Sequence, residues 1–211
     1  MSSKAQRGAA KIRQFHGENA GVADRALQAA LQIAPFDEDN IGTLPALLHR
    51  YGNQNFGFEQ TSFRDIREIF RAIAPKPAEL FCDAGAGYGH VVLYGALVAP
   101  CRWRAIEILP TRCEAMQRSA HRLGLGTIDI VQGDALAQDY SDVTYLLLNS
   151  PFFAEVAAPF IERLAAARNE AMTVLAMNTI VTSFRESRAF REIDVAVDIA
   201  NYRFGMFRLK D

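Results

Sequence analysis

The chain has 211 residues, half of them hydrophobic, which suits one continuous core with an appendage rather than two full domains. Its 23 Lys and Arg nearly balance 24 Asp and Glu, which argues against a protein coated on nucleic acid by a general basic excess and leaves only a local basic patch open. Cys82, Cys101 and Cys113 have no paired spacing, residues 1–13 are polar, and no apolar run approaches a membrane span of about 18 residues; these features predict a soluble, cytoplasmic protein with reduced thiols, no disulfide framework and no metal.

Residues 1–20 are polar with scattered cations and predict a helical or frayed leader. Leu27, Ala30, Leu31 and Ala34 recur at helical spacing, so residues 23–33 predict an amphipathic helix stopped by Pro35. A short helix over 44–51 follows, then the turn-rich run Gly52-Asn53-Gln54-Asn55. Thr61-Ser62 offers an N-cap for a helix carrying Ile66, Ile69, Phe70 and Ile73, ended by Pro75-Lys76-Pro77.

Beyond that break, short apolar runs alternate with helical stretches. Strands are predicted at 78–82, 103–108, 127–131, 143–148 and 172–177, with helices at 90–99, 110–123 and 154–167. Such alternation builds a mostly parallel sheet covered on both faces. Residues 193–199 and 202–209 alternate in polarity across the link Ala200-Asn201, which predicts a terminal antiparallel hairpin.

Four features fall at predicted strand ends. Asp83-Ala84-Gly85-Ala86-Gly87-Tyr88-Gly89 joins the first strand to a helix. Its glycines permit a tight turn and close backbone approach, and the helix N-terminus beyond adds free N–H groups. Glu107, twenty residues past Gly87, ends the second strand, where a carboxylate can accept from both hydroxyls of a ribose. Gly133-Asp134-Ala135 follows the third, with a carboxylate suited to an adenine amine. Asn149-Ser150-Pro151-Phe152-Phe153 closes the fourth. Ligands of open α/β sheets bind along that edge.

The GxGxG spacing, with Asp83 two residues before the first glycine, differs from the dinucleotide GxGxxG. It resembles the class I S-adenosylmethionine-dependent methyltransferases, as does a terminal antiparallel hairpin. That resemblance implies a Rossmann-like, mostly parallel seven-stranded sheet over residues 58–211, a helical N-terminal extension or cap over 1–57, and S-adenosyl-L-methionine as cofactor. More narrowly, Phe58-Glu59-Gln60-Thr61-Ser62-Phe63 and the run from Leu80 to Leu93 resemble the Dot1-type lysine methyltransferases over about half the chain. This likeness implies that Phe58, Glu59, Gln60 and Thr61 form a loop over the methionine end of the cofactor. It implies that Phe81, Asp83, Ala84, Gly85, Ala86, Gly87, Gly89 and His90 cradle it, that Glu107 holds the ribose, and that Asp134 and Ala135 flank the adenine. Asn149 matches an Asn beside that family's lysine channel. Gln60 interrupts the family's Glu-Thr pair, and its basic nucleosome-binding extension has no counterpart here, which disfavours histone as substrate.

Asn149-Ser150-Pro151-Phe152 also resembles the Asn-Pro-Pro-Phe signature of methyltransferases acting on nucleobase or amide nitrogens. There the Asn carbonyl accepts from the target NH2 and the aromatic ring stacks on a planar target, so Asn149 and Phe152 are the predicted catalytic pair. Otherwise Pro151 merely ends a strand and both rings pack in the core. His90, at the start of a helix, reads as an ordinary capping-region residue rather than a catalytic base.

The leading expectation is an N-methyltransferase acting on a protein side chain of lysine type. A nucleic-acid or small-molecule amino methyltransferase, with the former unsupported by net charge, and a catalytically degenerate binding protein are the alternatives.

Overall fold

The computed structural model describes residues 3–18, 22–33, 44–51, 60–200 and 202–210. Among the described residues four α-helices precede the first strand: α1 (Ser3–Glu18), α2 (Asp24–Ala30), α3 (Leu44–Tyr51) and α4 (Phe63–Ile73). Strand and helix then alternate through β1 (Leu80–Ala84), α5 (His90–Val98), β2 (Arg102–Glu107), α6 (Pro110–Leu123), β3 (Ile128–Gln132), β4 (Tyr145–Asn149), α7 (Ala154–Ala166), β5 (Thr173–Met177) and α8 (Ile180–Glu186). The chain closes with β6 (Phe190–Ile193) and β7 (Phe204–Leu209). Among the described residues no helix is long and apolar enough to cross a membrane.

The seven strands form one sheet in the order β3-β2-β1-β4-β5-β7-β6. The first five are parallel, and β7 runs antiparallel to both β5 and β6. β1 and β5 are buried along their whole length, as strands covered on both faces must be. The direction of strand progression reverses between β1 and β4, so the crevice beyond their C-terminal ends is the place where such sheets take ligands.

Two cores flank the sheet. One contains Phe81, Trp103, Leu147 and Leu175 under α1, α4 and α5; the other contains Leu146, Leu148, Phe160 and Val174 under α7 and α8. α1 buries Ala5, Ala9, Ile12 and Phe15 at helical spacing. It lies so close to α2 that a Cβ on Gly8 would stand 2.4 Å from the Ala30 carbonyl oxygen. Arg13 donates to the Leu97 carbonyl at 3.0 Å, and buried Arg67 donates to the carbonyls of Phe15 and His16, satisfying the end of α1. The predicted helical leader is therefore packed into the first core.

The C-terminal hairpin differs from the expected one. Its first strand is Phe190–Ile193, paired from Phe190↔Leu209 to Ile193↔Met206, whereas residues 194–200 belong to no strand. Val195, Val197 and Ile199 alternate because they pack on the first core, not because they join the ladder. That excursion is tied to α4. The Ala200 N–H donates to Asp65 Oδ1 at 3.1 Å, Arg64 pairs with Asp198 at 2.6 Å, and the Tyr202 hydroxyl donates to the Gln60 carbonyl at 2.7 Å. The second helix is also shorter than expected, ending at Ala30, and α8 is an element the sequence reading did not anticipate.

Candidate active site

Period-two alternation carries the key side chains to one face. Phe81 and Trp103 belong to the first core, so Asp83 and Glu107, two and four residues on, point toward the same side; Leu147 does likewise, and Asn149 follows it. Asp83 sits opposite Ala105 on β2 and Leu147 on β4. One acid from β1, one from β2 and one amide from β4 thus meet under α4 and α5.

The glycine turn rests on left-handed backbone. Gly85, Gly87 and Gly89 have φ of 86°, 55° and 81°, values that side chains rarely tolerate. The N–H groups of Gly85 and Ala86 both donate to the Ile106 carbonyl at 2.9 Å, fastening the turn to the end of β2. A Cβ on Gly89 would lie 2.5 Å from the Met116 side chain, so this position sets the approach of α6. A Cβ on Gly85 would meet Pro151 Cβ at 2.7 Å. The side of Gly85 on which a side chain would project is thus occupied by the loop after β4.

Glu107 is 4% exposed and grips the turn. Its Oε2 accepts the Gly87 N–H at 2.8 Å and its Oε1 accepts the Leu109 N–H at 2.9 Å. Burial raises its pKa, while Arg112 and the backbone donors work against that rise. Arg112 Nη1 stands 4.0 Å from Oε2, and its guanidinium lies 5.6 Å from the centre of the Tyr88 ring. Asp83 lacks such help, so burial, and then the neighbouring Glu107, push its carboxyl up to about 7. His90 is buried at the start of α5, beside Phe63; desolvation lowers its pKa to about 3, and it stays neutral at ordinary pH.

At the end of β4 the Asn149 amide is held from both sides. Its Nδ2 donates to Thr61 Oγ1 at 3.0 Å, and its Oδ1 accepts from Asn178 Nδ2 at 2.8 Å. Ser150 turns the chain with φ of 45°, and its hydroxyl lies 2.9 Å from Thr179 Oγ1. Phe152 does not form an open platform. It is 3% exposed, with its ring edge-to-face on Phe160 at 4.9 Å, whereas Phe153 is 45% exposed. The available aromatic at this exit is the second ring of the pair.

Of the other predicted residues, Phe58 and Glu59 lie outside the described residues. Gln60 presents its carbonyl to Tyr202, and Thr61 is buried against Asn149. The Phe81 ring packs on Phe70 and Trp103, so it supports the turn from within the core. Ala84 and Ala86 are buried in and just after β1. Asp134 Oδ1 caps the short 3-10 turn Ala135–Ala137 through the Leu136 N–H at 2.8 Å, and Ala135 is buried. Asn178, Thr179 and Arg112 are members the sequence reading missed. Asn178 directly follows β5, so the strand-end rule that singled out Asn149 could have found it.

No protein-family model matches the chain, and no curated protein matches its sequence. Solved structures do match its fold. An RNA methyltransferase from Salinibacter ruber, in complex with S-adenosyl-L-homocysteine, superposes with a TM-score of 0.57 at 17% identity, over 72% of this chain and 94% of that one. The M1A22 tRNA methyltransferase TrmK of B. subtilis gives 0.56 at 14% identity, over 70% and 66%. MtNAS, in complex with MTA and tNA, gives 0.59 at 15% identity and covers 100% of this chain and 78% of its own. The chain has the Rossmann-like methyltransferase fold. The narrower Dot1-type likeness rests on the sequence motifs alone.

Proposed function

We propose that this chain is an S-adenosylmethionine-dependent N-methyltransferase whose acceptor is an amino group of a nucleic acid or a small molecule. The observation that carries the reading is the convergence of Asp83, the Gly85–Gly89 turn, Glu107, Asp134 and Asn149 on one sheet edge at the strand-order reversal. The donor set suits the ligand. This edge offers carboxylate and amide acceptors, and the cofactor offers an ammonium, two ribose hydroxyls and an adenine amine as donors. Glu107 would take the hydroxyls while keeping its backbone donors, because each oxygen has a second lone pair. Asp134 would take the adenine amine, and the turn would carry the methionine end.

The cofactor supplies an electrophilic methyl group on a sulfonium. Asn149 has an amide oxygen pre-positioned by Asn178 and Thr61, and this oxygen would accept from the target NH2 and aim its lone pair. With the cofactor held there, the acceptor nitrogen aimed by Asn149 would take the methyl group, the C–S electron pair would stay on sulfur, and the acceptor's proton would leave to water. Alignment at close contact supplies much of the acceleration in such an in-line displacement. Exposed Phe153 is the surface on which a planar target could stack.

Support for a nucleic-acid or small-molecule acceptor over a lysine comes from the Asn149–Phe153 run and from the fold likeness to two RNA methyltransferases. The lysine reading draws on the 58–63 stretch, whose Phe58 and Glu59 lie outside the described residues. Calorimetric titration with S-adenosylmethionine and S-adenosylhomocysteine is the first test. Failure of a folded sample to bind either ends the reading. Binding without turnover on any pool favours the degenerate alternative. Cell extract labelled with radioactive cofactor should then lose its macromolecular label to nuclease, or carry it on small molecules; label lost to protease alone would restore the protein acceptor.

A further inference from the structure

A basic hollow lies at the opposite edge of the sheet from the crevice. It encloses about 900 Å³ and is lined by Arg168, Glu170, Arg188, Arg191, Arg208 and Lys210. Arg168 and Glu170 precede β5, Arg188 and Arg191 flank the start of β6, and Arg208 and Lys210 stand at the end of β7. Because β7 runs antiparallel to β5, all six gather at the N-terminal edge of the parallel strands. Each is exposed.

Five cations against one anion is a strong local excess in a chain whose net charge is −1. Arg185, close by, is consumed by Glu192 through two bonds of 2.9 and 2.7 Å. None of the five lining cations forms an ion pair among the described residues. Two are braced by neutral groups instead: Arg208 Nε donates to Thr173 Oγ1 at 2.9 Å, and Lys210 Nζ donates to the Ser187 carbonyl at 3.5 Å. Like charges gathered in a concavity repel one another and focus a positive potential outward. Four of the five are arginines, whose planar forks match phosphate oxygens bidentately. The lining has no aromatic ring, so it suits backbone contact without base readout.

We propose that this hollow binds the phosphate backbone of single-stranded RNA and thereby holds the substrate whose acceptor base enters the crevice. The proposal rests on the nucleic-acid form of the function above and selects it over the small-molecule form. The two edges are a strand apart, about 17 Å for five residues at about 3.3 Å each, and a polymer with a charge on every unit reaches both. The near-neutral net charge is compatible with this, because the contact is local.

The test is fluorescence anisotropy of the full chain with a labelled, mixed-sequence, single-stranded RNA, without cofactor, across a salt series. The double variant Arg188→Glu/Arg191→Glu should flatten the slope of log K against log salt by about 1.4, which at 0.1 M salt corresponds to about 25-fold weaker binding. Lys4→Glu/Lys11→Glu on α1 changes net charge equally and should bind as wild type does. Unchanged thermal midpoints and unchanged S-adenosylhomocysteine titrations establish that both variants are folded. The proposal is overturned if wild type does not bind RNA, if the two double variants bind alike, or if polyglutamate of equal charge displaces the RNA, which would assign the hollow to acidic peptides. Each of these results leaves the cofactor titration of the wild type standing, so the two readings fail separately.

Discussion

Gly85→Ala tests the close approach of the β1 and β4 loops in the crevice. The new Cβ would meet two obstacles: a backbone φ of 86° and the Pro151 Cβ at 2.7 Å. Left-handed backbone costs a residue with a side chain about 1–2 kcal/mol, and forcing a methyl into packed space costs about 1–3 kcal/mol more. A loss of about 2–5 kcal/mol is large against a total stability of about 5–15 kcal/mol. Urea unfolding should therefore show a much lower midpoint at unchanged slope. The two causes separate in a cycle with Pro151→Gly, which removes the clashing atom and leaves the strained φ. The double variant should recover the packing part, about 1–3 kcal/mol, and retain the backbone part. A midpoint shift worth less than about 0.5 kcal/mol for Gly85→Ala would mean that the β1 and β4 loops do not touch as described, and the geometry of the crevice would have to be redrawn.

Asn178→Ala and Asn178→Gly both remove the donor to Asn149, so both should lower kcat while sparing S-adenosylhomocysteine affinity. Because φ is 63° here, only the Ala variant should also lose about 1 kcal/mol of stability relative to Gly, and equal kcat for wild type and either variant would remove Asn178 from the site. Glu107→Gln places an amide NH2 against one of the two backbone donors; urea unfolding should report a loss of about 1–3 kcal/mol, and calorimetry should report weaker cofactor binding, whereas wild-type values in both would show that the carboxylate is not the clasp. The Asp83 carboxyl is raised from 3.8 to about 7, so the folded chain holds its proton longer than the unfolded one; stability should fall as pH rises through that window and level off above it, and Asp83→Asn should flatten the decline in urea midpoints.

The parallel sheet was legible because its strands are apolar runs separated by helices with clear stops. Leu80, Phe81 and Cys82 and the run Thr173–Met177 have no polar face to mislead a reader. The C-terminal hairpin was legible in kind and wrong in place. Residues 193–199 alternate as a strand does, yet beyond Ile193 none of them joins the ladder, while Val195, Val197 and Ile199 pack on a core. Alternation reports which side of a segment is buried, and it cannot say whether the burying surface is a paired strand or a helix. The true strand Phe190–Ile193 is only four residues long with Arg191 and Glu192 at its centre, too short to announce itself.

The site divides along the same line. While a strand lasts, parity fixes where each side chain goes: Leu147 faces the first core and Leu148 the second, so Asn149 must turn toward α4, and it meets Thr61 there. Asp83 and Glu107 follow from Phe81 and Trp103 by the same count. Parity expires where the strand does. Ser150, with φ of 45°, bends the chain out of the ladder, and no count from β4 then predicts that Phe152 is driven into the second core while Phe153 stays open. Tertiary partners are equally invisible. Asn178 reaches Asn149 because β4 and β5 pair in register, Asn149 opposite Met177, which sets the next residue of the neighbouring loop beside the amide. Residues inside strands were therefore readable from period alone, and those just past the strand ends required the sheet order and register that only the folded chain provides.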